Sequence, residues 1–74
     1  VKAYPNPASN SFKIQVSPNA MGETYGIYDI TGNCMERGVV LNETMHFNST
    51  HWPSGMYFVR MGSQVVKVSI VREN

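Results

Sequence analysis

Met56-Tyr57-Phe58-Val59-Arg60-Met61-Gly62-Ser63-Gln64-Val65-Val66-Lys67-Val68-Ser69-Ile70-Val71 decides the fold class. In an extended chain successive side chains alternate between two faces. Tyr57, Val59 and Met61 therefore share one face, and Phe58 and Arg60 take the other. After the break, Val66, Val68 and Ile70 again line a single side. Gly62-Ser63 is a two-residue connection with glycine first, which suits a type II′ turn whose twist matches the strands it joins. The segment reads as a β-hairpin.

The same grammar extends toward the N-terminus. Phe12, Ile14 and Val16 alternate with Lys13 and Gln15, the pattern of a half-buried strand. Glu23 to Ile30 reads as a strand turned by Thr31-Gly32-Asn33, and Cys34 to Leu41 as the next, with Gly38 as a candidate bulge. Thr44 to Asn48 places Met45 and Phe47 on one face. Val1 to Tyr4 is a short lead strand stopped by Pro5-Asn6-Pro7. Seven short strands with turn chemistry between them, and no window with apolar residues at helical spacing, predict an all-β, seven-stranded antiparallel β-sandwich with no substantial helix, with a small open barrel as the alternative. Residues 1–74 form one domain. At this length folding buries only about 60% of the unfolded chain's surface, so the core is marginal.

Composition narrows the function. Six Lys and Arg stand against five Asp and Glu, a net charge of +1, and they are scattered. No basic stripe is present to replace phosphate counterions, which argues against nucleic acid as a partner. No apolar run reaches the ~20 residues of a membrane helix. Cys34 is the sole cysteine, so no disulfide forms within the chain, and a lone Cys in a strand reads as a small core filler. Val1 is not an initiator Met, so the chain reads as a fragment of a longer protein whose export signal lies upstream.

The sequence offers little chemistry. His46 and His51 with a distant Cys34 do not make the three or four ligands zinc needs, and no metal or cofactor is expected. The carboxylates lie in or beside turns. Asp29 is read as a turn organiser whose side chain accepts backbone N–H bonds, with Gly32 supplying positive φ. Trp52, next to Pro53 in a loop, has two readings: an exposed aromatic on a sugar- or protein-binding face, or a cap on the open end of the sandwich. No enzyme is expected.

Three segments, taken with the terminal strand, resemble a known family. Tyr4-Pro5-Asn6-Pro7, Tyr28-Asp29-Ile30-Thr31-Gly32 and Pro53-Ser54-Gly55-Met56-Tyr57-Phe58-Val59-Arg60 precede Lys67-Val68-Ser69-Ile70-Val71. In order and spacing they are similar to the type A C-terminal sorting domain of the type IX secretion system of Bacteroidetes-type bacteria, over essentially the whole chain. The resemblance implies an immunoglobulin-like sandwich at the C-terminus of a secreted cargo protein, with no catalysis of its own. It implies a cargo carried through the periplasm to the cell surface or beyond. The partners implied are an outer-membrane translocon, its shuttle protein and a sortase-like cysteine protease that removes the domain. The family's motif falls on Pro5, Asn6, Pro7, Gly32, Gly55 and Tyr57, and its terminal recognition strand on Lys67, Val68, Ser69, Ile70, Val71 and Arg72. This chain departs from the family's habit at Trp52, where Leu is usual, and at Asn33, where a basic residue often follows the glycine.

Physical reasoning points the same way. Pro5 and Pro7 lack N–H donors and stop the lead strand. A terminal strand on a sheet edge offers backbone groups to which a receptor can add a strand. In that reading Lys67, Ser69 and Val71 face the receptor while Val68 and Ile70 stay in the core. Edge pairing between two copies is a further use of the same margin. Two rival readings are a small carbohydrate-binding or adhesive module and a structural spacer.

Overall fold

The computed structural model describes residues 2–5 and 8–71. The strands are β1 Lys2–Tyr4, β2 Ser11–Gln15, β3 Thr24–Asp29, β4 Cys34–Val39, β5 Thr44–Asn48, β6 Gly55–Met61 and β7 Gln64–Ile70. A single 3-10 turn, Pro18–Ala20, fills the break between β2 and β3. No helix among the described residues is long and apolar enough to cross a membrane.

The strands divide into a three-stranded sheet of order β1-β2-β5 and a four-stranded sheet of order β4-β3-β6-β7, every neighbouring pair antiparallel. The two sheets form the expected all-β sandwich, an arrangement compatible with the immunoglobulin-like class. Its hairpins follow local chemistry. Met61 pairs with Gln64 across Gly62-Ser63. Gly62 has φ of 58°, and Ser63 stays out of positive φ, which is the type II′ pattern and not the I′ one.

The core is the set of side chains that alternation directs inward. Phe12 and Ile14 of β2 and Phe47 of β5 meet Ile27, Tyr57, Val59, Met61, Val68 and Ile70 of the other sheet, all of them buried. Five rings run from one sheet to the other and back. Tyr25 of β3 meets Phe47 at 5.5 Å between centroids, Phe47 stacks on Phe12 at 5.3 Å, Phe12 meets Trp52 at 5.8 Å, and Trp52 meets Tyr57 of β6 at 5.2 Å. Such pairs add stabilisation beyond the area they bury.

Two expectations change, and the structure decides between the two readings of Trp52. Trp52 is only 9% exposed and its ring lies between Phe12 and Tyr57, so it closes the core and does not line an outer binding face. Cys34 is exposed, not a core filler. The cause is a register shift: Ile27 pairs with Glu36 but Tyr28 pairs with Cys34, so Met35 is the extra residue of a bulge. Met35 packs against the core, and Cys34 is left on the outer side with Tyr28. Gly38 is therefore not the bulge. It pairs regularly with Tyr25, and a Cβ there would meet the Tyr25 hydroxyl oxygen at 2.9 Å. The glycine makes room for the ring.

Replacing Trp52 with Ala removes the link between Phe12 and Tyr57. For a core aromatic the expected loss is about 3–5 kcal/mol, which should leave so small a domain largely unfolded in water. A urea titration followed by circular dichroism measures it; an unchanged midpoint would contradict the packing described.

Candidate recognition surface

The terminal strand β7 has β6 on one side and ends the four-stranded sheet on the other. Its side chains alternate. Val68 and Ile70 are fully buried, Lys67 and Val71 are exposed, and Ser69 is half-buried. Arg72 lies outside the described residues.

The backbone of this edge is partly occupied. Ala8 forms a single parallel bridge with Ile70. Its N–H donates to the Ser69 carbonyl at 2.8 Å, and its own carbonyl accepts from Val71 N–H at 2.8 Å. Those two bonds fix the direction in which β7 backbone groups point. In an antiparallel pair consecutive residues alternate between bonding the partner and facing away. Because Ser69 faces away from β6, so do Lys67 and Val65. The strand thus carries the Ala8 bridge at its C-terminal end, while its turn-proximal part, Gln64 to Val66, lies beyond that bridge. Nothing in the sequence marks Ala8 for this role; it depends on Ala8 lying beside β7 in three dimensions.

The other described motif residues make local structural contacts. The Tyr57 hydroxyl donates to the Pro53 carbonyl at 2.6 Å, tying the loop before β6 to the strand itself. Gly55 begins β6 with φ of 153°, a backbone conformation that L side chains rarely adopt. Gly32 has φ of 92°. Before it, Asp29 Oδ1 accepts from Thr31 N–H at 2.9 Å, from Thr31 Oγ1 at 2.7 Å and from Asn33 N–H at 2.9 Å. Pro5 follows β1 as a bend, and Asn6 and Pro7 lie outside the described residues.

Elsewhere the reactive side chains stay apart. His46 pairs with Lys13 and projects from the outer face of the three-stranded sheet, whereas Cys34 projects from the other sheet. Among the described residues no three of His, Cys, Asp and Glu come together in a way that could hold a metal ion.

A family model described as the secretion system C-terminal sorting domain matches residues 2–71. The chain belongs to this family. The sorting domain is also similar to beta-agarase A of Zobellia galactanivorans, at 27% identity over 67 residues. That match covers 90% of this chain but 12% of the agarase, so the two share a tail-sized unit. No solved structure gives a significant match. The family is one of sorting signals for type IX secretion, not of catalysts.

Sequence reasoning missed Ser49 in the sorting domain. It is fully buried; its N–H donates to the Asn10 carbonyl at 2.8 Å and its hydroxyl to the Ser9 carbonyl at 3.3 Å. These bonds hold the entry to β2 against the end of β5. A Ser in an Asn-Ser-Thr run carries no mark of burial. Only the three-dimensional packing gives it away.

The Asp29 turn makes a pH-dependent contribution. The Thr31 hydroxyl bond, outweighing slight desolvation and joined by bonds from Asn33 and the Thr31 N–H, lowers the carboxyl below its ordinary 3.8. With the folded value below the unfolded one, the unfolded chain binds more protons in between, so the stabilisation is present above about pH 4 and is lost as pH falls toward the lowered value. Asp29→Asn should flatten that part of a stability–pH curve measured by urea titration. An unchanged acid slope would show that the turn does not depend on the charge.

Proposed function

We propose that this sorting domain directs its parent cargo to the type IX translocon for export across the outer membrane, and that the outer edge of β7 is the element read. The observation that carries the proposal is the position of β7 at the end of its sheet, with Lys67 and Val65 facing away from β6. A receptor strand added there gains main-chain hydrogen bonds, and the alternating Lys67, Ser69 and Val71 side chains supply selectivity. Arg72 belongs to the same recognition strand in this reading. The Ala8 bridge limits where such a strand can start: it enters from the Gly62-Ser63 turn, or it displaces Ala8 from Ser69 and Val71.

In this reading residues 1–74 are the C-terminal domain of a cargo that crosses the periplasm before export. The reader is the outer-membrane translocon with its shuttle protein. After export a sortase-like cysteine protease cuts upstream of the Pro5-Asn6-Pro7 stop, where chain entering a rigid element is accessible, and the cargo remains at the cell surface or outside it. The domain itself is a substrate throughout. A carbohydrate-binding role loses its main support with Trp52 inside the core.

Fusing residues 1–74 behind a fluorescent protein targeted to the periplasm tests the proposal, in a host with the secretion system and in one lacking the translocon. Surface fluorescence is expected in the first host only. Deleting residues 67–74 should trap folded fluorescent protein in the periplasm. Normal display of the truncated fusion would defeat the proposal.

A further inference from the structure

The outer face of the four-stranded sheet carries a second surface, which reaches the β7 edge at Val65. Its centre is Gly26 of β3, a residue with a register partner on the strand at each side. The register pairs Gly26 with Arg37 on β4 and with Arg60 on β6. Directly paired residues share a face, so two arginines flank one position that has no side chain. Strands stand about 4.8 Å apart, so the two arginine Cα atoms are separated by roughly twice that, close enough for their long side chains to converge.

Tyr28 completes the arrangement. A Cβ on Gly26 would lie 2.5 Å from the Tyr28 hydroxyl oxygen, so that hydroxyl sits over the glycine, between the two arginines. The glycine is what allows the ring to lie there. Arg37, Arg60, Tyr28 and Gly26 line one groove of about 670 Å³, with Thr24 and Val39 among its other walls and no carboxylate in its lining. Neither guanidinium has an acidic partner among the described residues. Three donor side chains thus line one groove to which no described carboxylate contributes.

The rest of the face mixes apolar side chains with Thr24 and with Lys67, which pairs with Phe58. Phe58 pairs with Tyr28 and Val65, 53% exposed, pairs with Arg60; with Ile30 they line a second groove that shares Tyr28 and Arg60 with the first. Asp29, on that groove's rim, is engaged by Thr31 and Asn33. A face that alternates cations with rings and branched aliphatics matches a partner offering carboxylates and apolar side chains together. A polypeptide does this; a sulfated glycan or a phospholipid head group does not. A second copy of the same face would bring like charges together.

We propose that the outer face of the four-stranded sheet is a docking surface for an acidic, apolar protein segment, one carboxylate of which is held by Arg37, Arg60 and the Tyr28 hydroxyl above Gly26. Guanidinium–carboxylate bonds are the strong, directional kind. The site stands whether or not the β7 edge is read during export.

The test is titration of the 15N-labelled 74-residue chain with an eight-residue peptide alternating Glu with Val and Tyr. Its Gln counterpart, dextran sulfate and phosphatidylglycerol vesicles are run in parallel. Saturable shifts should centre on the Gly26, Arg37 and Arg60 amides and weaken with added salt. The Arg37→Glu/Arg60→Glu double variant, exposed at both positions, should bind at least about tenfold more weakly with its amide dispersion unchanged. Tyr28→Phe should lose a few-fold, on the order of one hydrogen bond, and Lys13→Glu on the opposite sheet should lose nothing. Undiminished peptide binding by the double variant, shifts centred elsewhere, or no binding at all would overturn the proposal. So would dextran sulfate or vesicles binding more tightly than the peptide at these residues, which would make the face a glycan or membrane site.

Discussion

The contact between Trp52 and Tyr57 is the interaction on which the rest of the molecule depends. Tyr57 is the inward-facing residue of β6 nearest the loop, and its hydroxyl is spent on the Pro53 carbonyl. Its ring is therefore held against Trp52, which in turn meets Phe12 on the opposite sheet. One loop thereby fastens the two layers at their end. A polar hydroxyl enters the core without an unsatisfied atom, as burial demands. With β6 fixed in this way, its register with β3 sets the four-stranded sheet and its hairpin carries β7 to the margin.

That margin has a graded character. Near its C-terminal end the strand is bridged by Ala8, a contact of two hydrogen bonds. Toward the turn it lies beyond this bridge. Exposed edges invite unwanted pairing, and natural sheets commonly protect them with short strands, charges or covering segments. Here Lys67 on the edge strand and the Ala8 segment serve that purpose, and the proposed reader adds its strand beside them. The outer face beside it carries two arginines and a tyrosine hydroxyl around Gly26, so edge and face together give this sheet two distinct chemistries.

Much of this was legible in the sequence, for identifiable reasons. Period-2 alternation at Phe12-Ile14-Val16 and across Met56 to Ile70 gave strands whose bounds fall within a residue or two of those observed. Gly62-Ser63 and Asp29 to Gly32 announced their turns because turn chemistry is local. What stayed hidden was non-local. A bulge at Met35 leaves no local mark, so Cys34 was assigned to the core and Gly38 to the bulge. The reason for Gly38 lies in the ring of Tyr25, on the neighbouring strand, and that of Gly26 depends on pairing with two strands at once. For Trp52 in a Pro-bearing loop, the sequence favours a cap on the open end of the sandwich over a surface role, and its ring partners bear that out. The order of strands, and so the placing of β7 at an edge, depends on which hairpins stack and not on their individual patterns.

The most direct test of an edge that is read by strand addition is to block its backbone without disturbing the fold. Val65 N–H faces away from β6, and proline is tolerated on an edge strand where the missing donor faces outward. The measurement is surface display of a periplasm-targeted fluorescent fusion carrying Val65→Pro, with folding verified from the amide spectrum of the isolated chain. A folded variant that accumulates in the periplasm is the predicted result. Display at the level of the unaltered fusion would contradict the account.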